Sequence, residues 1–145
     1  MNVESLRGKF FLDTNILVYS FDPHAPEKQL IAQQLIETAL SSQMGVISSQ
    51  VVQEFLNVAQ RKFAKPMGVA EARSYLNGVL LPLCQHFPSI NWYDKALLLR
   101  EEAGYSFYDA LIVAAGVEMG CKTLLSEDLQ NGRTIKNMTI LNPFA

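Results

Sequence analysis

Short apolar segments alternate along the chain with longer segments whose apolar residues recur at helical spacing. Segments of three to five residues that contain two or three consecutive apolar residues, bounded by polar residues or glycine, are typical of buried strands, and they lie at residues 9–12, 45–48, 121–125 and 139–141, with a weaker one at 87–90. The main helical patterns lie at residues 27–41, 49–64, 69–80, 91–104 and 106–119. Strands that alternate with helices form a parallel sheet covered by helices on both faces. The sequence therefore predicts an α/β fold.

The length and charge of the chain fit one domain over residues 1–145 and point to no particular class of ligand. The 145 residues carry a formal net charge of −2, so only local charge can indicate a nucleic-acid site. Cys84 and Cys121 lack zinc-binding spacing and are expected to be reduced core residues. The N-terminus does not resemble a signal peptide, and no apolar run is long enough to span a bilayer. We expect a soluble, cytoplasmic protein with no membrane partner.

Four acidic residues occupy positions where ligands bind in α/β sheets. Asp13 ends the first strand, Asp128 follows the strand at 121–125, and Glu54 and Asp109 lie near the starts of two helices. Strand C-termini and the helices that follow them gather at one edge of an open sheet. Two carboxylates about 4 Å apart repel each other by about 4 kcal/mol at an effective dielectric constant of about 20. If the fold brings these acids together, the site calls for a hard divalent cation.

Each of these acids also has a purely structural interpretation. Asp13 can cap the helix that follows it, and Glu54, at the rim of an apolar helix face, can be a solvated surface residue. Asp109 stands three residues after Ser106, which matches a capping box, and Asp94 has the same spacing in its own helix. The helix that follows Asp109 is apolar nearly all round and must be central, which favours Asp109 over Asp94.

The loop after the strand at 121–125 leaves a similar choice open. Either Glu127 or Asp128 can face inward, and Ser126 or Asn131 can add a hydrogen bond. A polar loop after a strand is ordinary by itself. The hypothesis of a functional site therefore depends on the set of four acids and on no single one.

At these residues the chain resembles the PIN-domain ribonuclease family, most closely the VapC-like toxins of prokaryotic toxin–antitoxin pairs. The matching segments follow the order of the family and lie at residues 11–17, 52–55, 106–115 and 124–132. Together with their flanking strands they extend over residues 9–141. The resemblance implies a three-layer fold with a five-stranded parallel sheet, in the order 3-2-1-4-5, flanked by helices.

The resemblance also implies a metal-dependent ribonuclease site. Its acidic quartet corresponds to Asp13, Glu54, Asp109 and Asp128. Mg²⁺ or Mn²⁺ would be held mainly by Asp13 and Asp109, with Asp128 completing the site, while Glu54 would hold or deprotonate the attacking water. The supporting hydroxyl and amide groups would belong to Thr14, Asn15 and Ser126. Cleavage of RNA by water would leave 5′-phosphate and 3′-hydroxyl ends.

Several residues near the acids are suited to RNA. Basic residues follow Glu54 on its helix and follow the Asp128 loop, namely Arg61, Lys62, Lys65, Arg133 and Lys136. We expect Arg61, Lys65 and Arg133 to bind phosphates, although Lys62 and Lys65 also suit a solvated helix end. Tyr105 and Tyr108 can stack on bases.

The family implies two protein partners. An antitoxin peptide would lie across the acidic groove, where one of its arginines could pair with the carboxylates. A homodimer is expected by analogy with the family, and the helices of residues 49–80 are the candidate interface.

Other functional classes fit less well. A phosphotransfer enzyme of the haloacid dehalogenase type needs a second aspartate where Asn15 stands, and a receiver domain needs an aspartate at the end of a middle strand. No P-loop, nucleophile elbow or dinucleotide fingerprint is present. The main alternative is a PIN-like module that has lost catalysis and binds RNA or protein.

Overall fold

The segments predicted as strands at residues 9–12, 45–48, 121–125 and 139–141 contribute strands to one sheet in the computed structural model, which describes residues 3–145. The strands are β1 (Phe10–Leu12), β2 (Gly45–Ser48), β3 (Cys84–His86), β4 (Thr123–Leu125), β5 (Thr134–Ile135) and β6 (Met138–Leu141). The helices are α1 (Thr14–Tyr19), α2 (Pro26–Ser42), α3 (Ser49–Arg61), α4 (Val69–Tyr75), α5 (Leu81–Leu83), α6 (Ile90–Ala103) and α7 (Phe107–Glu118). A 3₁₀ turn (Val3–Ser5) precedes β1, and a π turn (Leu76–Leu80) joins α4 to α5.

The strand order is β3-β2-β1-β4-β6-β5, with all neighbours parallel except β5 and β6. This confirms the predicted α/β fold and its order, because β6 is the segment expected as the fifth strand. The sixth strand, β5, pairs antiparallel with β6 through a turn in which Lys136 and Asn137 adopt positive φ angles of 46° and 71°. With only two residues, β5 is too short to produce a strand pattern in the sequence.

The prediction of the third strand was wrong by about three residues. β3 comprises Cys84–His86, and Phe87, expected within the strand, is 63% exposed. β3 is an edge strand whose middle residue is exposed, so it lacks the continuous apolar run typical of the inner strands.

Two helix ends also differ from expectation. The helix predicted to end at residue 80 continues after the π turn as α5, with Pro82 in the first turn, where proline needs no amide hydrogen. Helix α3 begins at Ser49 as predicted, capped by the Ser48 hydroxyl, which accepts a hydrogen bond from the Val51 N–H at 3.3 Å, but it ends at Arg61, before the predicted end at residue 64.

Helix α7 is central, as its composition predicts. Its residues Ala110–Gly116 are all buried. A Cβ atom at Gly116 would lie 2.7 Å from Met138 Sδ, so the absence of a side chain there lets the helix approach β6 closely. Both cysteines are free, and no helix within residues 3–145 is long and apolar enough to cross a membrane.

Candidate active site

The four predicted acids line a single cavity of about 320 Å³. β1 and β4 are parallel neighbours and end at the same edge of the sheet, which brings Asp13 next to the loop of residues 126–128. The second turn of α3 contributes Glu54, and the first turn of α7 contributes Asp109. The remaining lining residues are Thr14, Gln50, Asn57, Val58, Tyr108 and Ile112. The predicted helpers Asn15 and Ser126 do not line the cavity, but they hydrogen-bond to its acids.

Asp13 is the buried acid of the set, with 8% of its surface exposed. Its Oδ1 accepts the Thr14 N–H at 2.7 Å, which makes Asp13 the N-cap of α1, and its Oδ2 accepts the Ser126 hydroxyl at 2.7 Å. Burial raises the pKa of Asp13 from 3.8 to about 6, against the lowering effect of these bonds and with smaller raising effects from Glu54 and Asp128. Asp13 can therefore cap α1 and belong to the candidate site at the same time.

Glu54 is held by two neutral donors. The Thr14 hydroxyl donates to Oε1 at 2.7 Å, and the Gln50 amide donates to Oε2 at 3.4 Å. The Gln50 amide also donates to the Tyr108 carbonyl at 3.3 Å, so it links the helix of Glu54 to the start of α7. The Glu54 side chain therefore faces the cavity in a fixed orientation and is only partly exposed.

Asn15 organises the loop that carries Asp128. Its Nδ2 donates to Asp128 Oδ2 at 3.1 Å and to the Ser126 hydroxyl oxygen at 3.4 Å, while its Oδ1 accepts the Glu127 N–H at 3.2 Å. The Asp128 N–H donates to the same Ser126 oxygen at 3.1 Å. The structure answers the question left open by the sequence, because Asp128 lines the cavity and Glu127 does not.

Asp109 is exposed, as Asp128 is, but it differs from the other acids in having no hydrogen bond to its carboxylate within residues 3–145. Its backbone N–H donates to the capping Ser106 hydroxyl at 3.4 Å. Asp94 lies outside the cavity, in agreement with the choice of Asp109 from the apolar character of α7.

The donor set and the size of the cavity suit a hydrated hard cation. In the described part of the chain, no three carboxyl, imidazole or thiol groups converge closely enough to ligate one ion directly. Mg²⁺ usually keeps several waters and binds proteins through one or two carboxylates, and a cavity of about 320 Å³ has room for an ion with bound waters. Within residues 3–145, Gln50 Oε1 is buried and has no hydrogen-bond partner, so it remains able to accept a hydrogen bond.

The basic residues expected to bind RNA differ in their surroundings. Arg61 is exposed and follows Asn57 by four residues, so it lies one turn beyond the cavity wall on the same face of α3. Lys65 is exposed just after this helix. Arg133 donates to the Ala103 carbonyl at 3.0 Å, and its guanidinium lies 4.8 Å from the centre of the Tyr105 ring.

The two tyrosines are not equivalent either. Tyr105 is 9% exposed beneath Arg133, which leaves its ring no room to stack on a base. Tyr108 is 68% exposed at the cavity wall, with its ring edge-on to Phe107 at 5.7 Å.

Among the residues whose side chains hydrogen-bond to the carboxylates of the site, Gln50 was not predicted from the sequence. The sequence does indicate this contact, because Gln50 precedes Glu54 by four residues, and side chains at that spacing are neighbours on a helix.

A largely parallel sheet whose central strands and flanking helices bring four acids into one cavity defines the PIN class of α/β domains. The model of the PIN domain family matches residues 10–134, and the chain belongs to this family. PIN domains of this type are generally nucleases, and they generally use divalent metal ions.

Solved structures of similar fold include several toxin–antitoxin proteins. A toxin–antitoxin complex from Klebsiella pneumoniae aligns with a TM-score of 0.65 at 18% identity, over 93% of this chain and 98% of that chain. DNA-bound VapBC from Salmonella typhimurium aligns with 0.64 at 18% identity, over 92% and 97%. VapC20 from Mycobacterium tuberculosis, described as a toxin that cleaves the sarcin–ricin loop, aligns with 0.57 at 21% identity, over 80% and 87%. The TM-scores show that these proteins share the fold of this chain. Comparison with curated proteins gives no match.

Proposed function

We propose that the chain is a divalent-metal-dependent endoribonuclease and the toxin of a toxin–antitoxin pair, acting in the cytoplasm. The observation that carries the proposal is the convergence of Asp13, Glu54, Asp109 and Asp128 on one cavity. A PIN domain without a nuclease role would have no need to collect four carboxylates against their mutual repulsion. Membership of the family supports the nuclease, and the toxin–antitoxin neighbours support the physiological role.

Three of the acids would hold the metal ion, directly or through its bound waters. Asp13, Asp109 and Asp128 offer the carboxylate oxygens that Mg²⁺ or Mn²⁺ prefers. When bound, the ion supplies positive charge that offsets the charge developing on the scissile phosphate and lowers the pKa of a nearby water. Ser126 and Thr14 hold the two oxygens of Asp13, and Asn15 holds one oxygen of Asp128, so two of the three ligands are oriented before the ion arrives.

Glu54 would act as the general base. Its oxygens are oriented by Thr14 and Gln50, and it lies in the same cavity as the metal-binding acids. Glu54 takes a proton from the attacking water as the water oxygen bonds to phosphorus in line with the leaving 3′-oxygen. The bond between phosphorus and the 3′-oxygen breaks, and the 3′-oxygen takes a proton from a solvent water. The products are 5′-phosphate and 3′-hydroxyl ends, without attack by the ribose 2′-hydroxyl.

The RNA strand would extend along α3 from the cavity. Arg61 and Lys65 lie beyond the acids at the end of this helix and would meet phosphates. Tyr108 would stack on a base beside the scissile phosphate, because its ring is exposed at the cavity wall. Arg133 would contribute only the N–H groups that are left free by its hydrogen bonds to the Ala103 carbonyl and to Gln130 Oε1 and by its contact with the Tyr105 ring.

The proposed partners are an antitoxin and a second copy of the chain. An arginine of the antitoxin would pair with the acids of the cavity and displace the metal ion.

The second copy would cover an apolar groove lined by Val52, Leu76, Leu81 and Phe87 beside the edge strand β3. Replacing Phe87, which is 63% exposed, with Glu should convert a dimer to a monomer in light scattering. An unchanged mass would contradict this interface.

The decisive experiment compares two aspartates on neighbouring helices. Wild type, Asp109→Asn and Asp94→Asn are incubated with a pool of structured RNAs in Mn²⁺ or Mg²⁺ and in EDTA. Asp94 is exposed and lies outside the cavity, so it controls for the loss of one surface charge. Metal-dependent cleavage lost only in Asp109→Asn is expected. Equal cleavage by all three proteins would refute the nuclease site, and RNA binding without any cleavage would favour a catalytically inactive binding module.

A further inference from the structure

Glu127, the acid adjacent to Asp128, is held outside the cavity by two other elements of the fold. The Tyr19 hydroxyl, at the end of α1, donates to Glu127 Oε1 at 2.6 Å. The Lys28 ammonium, on α2, donates to Glu127 Oε2 at 2.5 Å. Lys28 is 99 residues from Glu127 in the chain, so this contact depends on the tertiary fold. We call these three residues the Glu127 anchor.

Aromatic rings confine the anchor. The Lys28 ammonium lies 4.8 Å from the centre of the Tyr19 ring and 5.6 Å from that of Phe144, and the two rings meet edge-on at 5.0 Å. Burial raises the pKa of Glu127, but the bonds from Lys28 and Tyr19 outweigh it and the net pKa is lowered. A simple exposed ion pair contributes little to structure. Here a hydroxyl and two ring faces restrict the pair to one arrangement.

The anchor is connected directly to the cavity. Glu127 stands between Ser126, whose hydroxyl donates to Asp13, and Asp128, which lines the cavity. The Glu127 N–H donates to Asn15 Oδ1, and the same Asn15 side chain donates through Nδ2 to Asp128 Oδ2. Because the Glu127 side chain is held beside Lys28, the backbone of residues 126–128 is held in place as well. Ser126 and Asp128 therefore keep their positions relative to Asp13 and the cavity.

We propose that Lys28, Tyr19 and Glu127 are positioning residues that set Asp128 in the cavity and keep the adjacent carboxylate of Glu127 out of it. The expected effect on catalysis rests on the proposed nuclease function. The expected effect on the structure of the loop can be tested without nuclease activity. Lys28 is then a structural cation and not a ligand of RNA phosphates, because its ammonium is committed to Glu127.

The test uses three variants of the full chain. Glu127→Gln keeps the shape of the side chain but removes its charge, and Lys28→Met removes the cation but keeps its apolar stem. Lys122→Met is the matched control, because Lys122 is exposed and precedes the opposite end of β4.

The first readout needs neither metal nor RNA. In EDTA, NMR signals of the Asn15 side-chain amide and of the Asp128 backbone amide report the loop. We expect Glu127→Gln and Lys28→Met to shift both signals and to speed exchange of the Asn15 amide protons, while Lys122→Met leaves them unchanged. Signals that stay as in wild type in all three variants would overturn the proposal.

The second readout is cleavage under saturating metal at a temperature where every variant is folded. We expect kcat to fall about tenfold in Glu127→Gln and Lys28→Met, as when residues that orient a metal-binding side chain are replaced. The KM for RNA should change by less than about twofold. The exchange pair Lys28→Glu with Glu127→Lys should recover part of the loss. Variants that lose only thermal stability, with kcat intact, would show a merely structural role and overturn the proposal.

The two readouts separate this proposal from the proposed function. If wild type cleaves no RNA, the nuclease assignment fails, and the NMR comparison alone decides whether the anchor positions Asp128. If wild type cleaves and both anchor variants match Lys122→Met, only the positioning role fails.

Discussion

The Thr14 hydroxyl and the Glu54 carboxylate, 40 residues apart in the chain, are joined by a hydrogen bond of 2.7 Å. The backbone N–H of the same threonine donates to Asp13, also at 2.7 Å. Thr14 therefore sets the buried acid at the end of β1 and the proposed general base on α3 relative to each other. This one residue connects two roles that the sequence presents as separate motifs.

Replacing Thr14 with Val should impair cleavage far more than folding. The change keeps the shape and the backbone N–H but removes the donor to Glu54. We expect kcat to fall about tenfold, as when a supporting hydrogen bond is lost, with a loss of about 1 kcal/mol in the free energy of unfolding. Thr14→Ser, which keeps the hydroxyl, is the control, and single-turnover kinetics with urea unfolding measure both effects. Equal kcat in Thr14→Val and wild type would rule out the orienting role of this bond.

Replacing Asp13 with Asn should stabilise the metal-free protein at neutral pH. The pKa of Asp13 is raised from 3.8 to about 6 in the folded state, so between these values the folded chain binds a proton that the unfolded chain has released. The free energy of unfolding therefore falls as pH rises through this window, and the full shift corresponds to about 3 kcal/mol above pH 6. Asparagine carries no such penalty.

Urea unfolding in EDTA at pH 4 and pH 7.5 measures this effect. The stability difference between Asp13→Asn and wild type should be small at pH 4 and up to about 3 kcal/mol at pH 7.5. Asp94→Asn, a change at an exposed carboxyl, should show no comparable dependence. A difference of the same size at both pH values would contradict the raised pKa of Asp13.

Stabilisation by Mn²⁺ should weaken in acid. A proton on Asp13 competes with the cation, so one pH unit below its pKa of about 6 the apparent affinity should fall roughly tenfold. Differential scanning fluorimetry with a Mn²⁺ series at pH 5 and pH 7.5 measures the increase in Tm. In Asp13→Asn this dependence should disappear together with most of the binding. A Tm increase that is independent of pH in wild type would place the ion away from Asp13.

Gly45 should tolerate no side chain, whereas Gly78 should accept one. A Cβ atom at Gly45 would lie 2.1 Å from the Cβ of Ala39 and 2.6 Å from its Cα, while nothing lies within 4 Å of one at Gly78. We expect Gly45→Ala to cost about 3 kcal/mol and Gly78→Ala to add about 0.5 kcal/mol to the free energy of unfolding. Urea denaturation compares the two, and a stable Gly45→Ala protein would contradict the close packing of α2 against β2.

The sequence predicts the inner sheet and most of the cavity because both depend on local patterns. Apolar runs identify β1, β2, β4 and β6, and the nearly all-apolar α7 distinguishes Asp109 from Asp94. β3 was misplaced because an edge strand is defined by its pairing with β2 and not by an apolar run of its own. The choice between Glu127 and Asp128 depends on an ion pair with Lys28, and no local pattern contains that information.

Asp109 is the least constrained of the four acids. It is therefore the acid whose side chain has conformational entropy left to lose when a ligand binds. Asp13, Glu54 and Asp128 give up their rotational freedom on folding, because neighbouring donors hold them. In the proposed function, Asp109 would give up its freedom only when an ion or an arginine binds. The cavity would then present three acids fixed by the fold and a fourth that adjusts to the radius and charge of the occupant. Accommodation of Mg²⁺, Mn²⁺ or a guanidinium group would therefore fall to Asp109, whose carboxylate has no hydrogen-bond partner within residues 3–145.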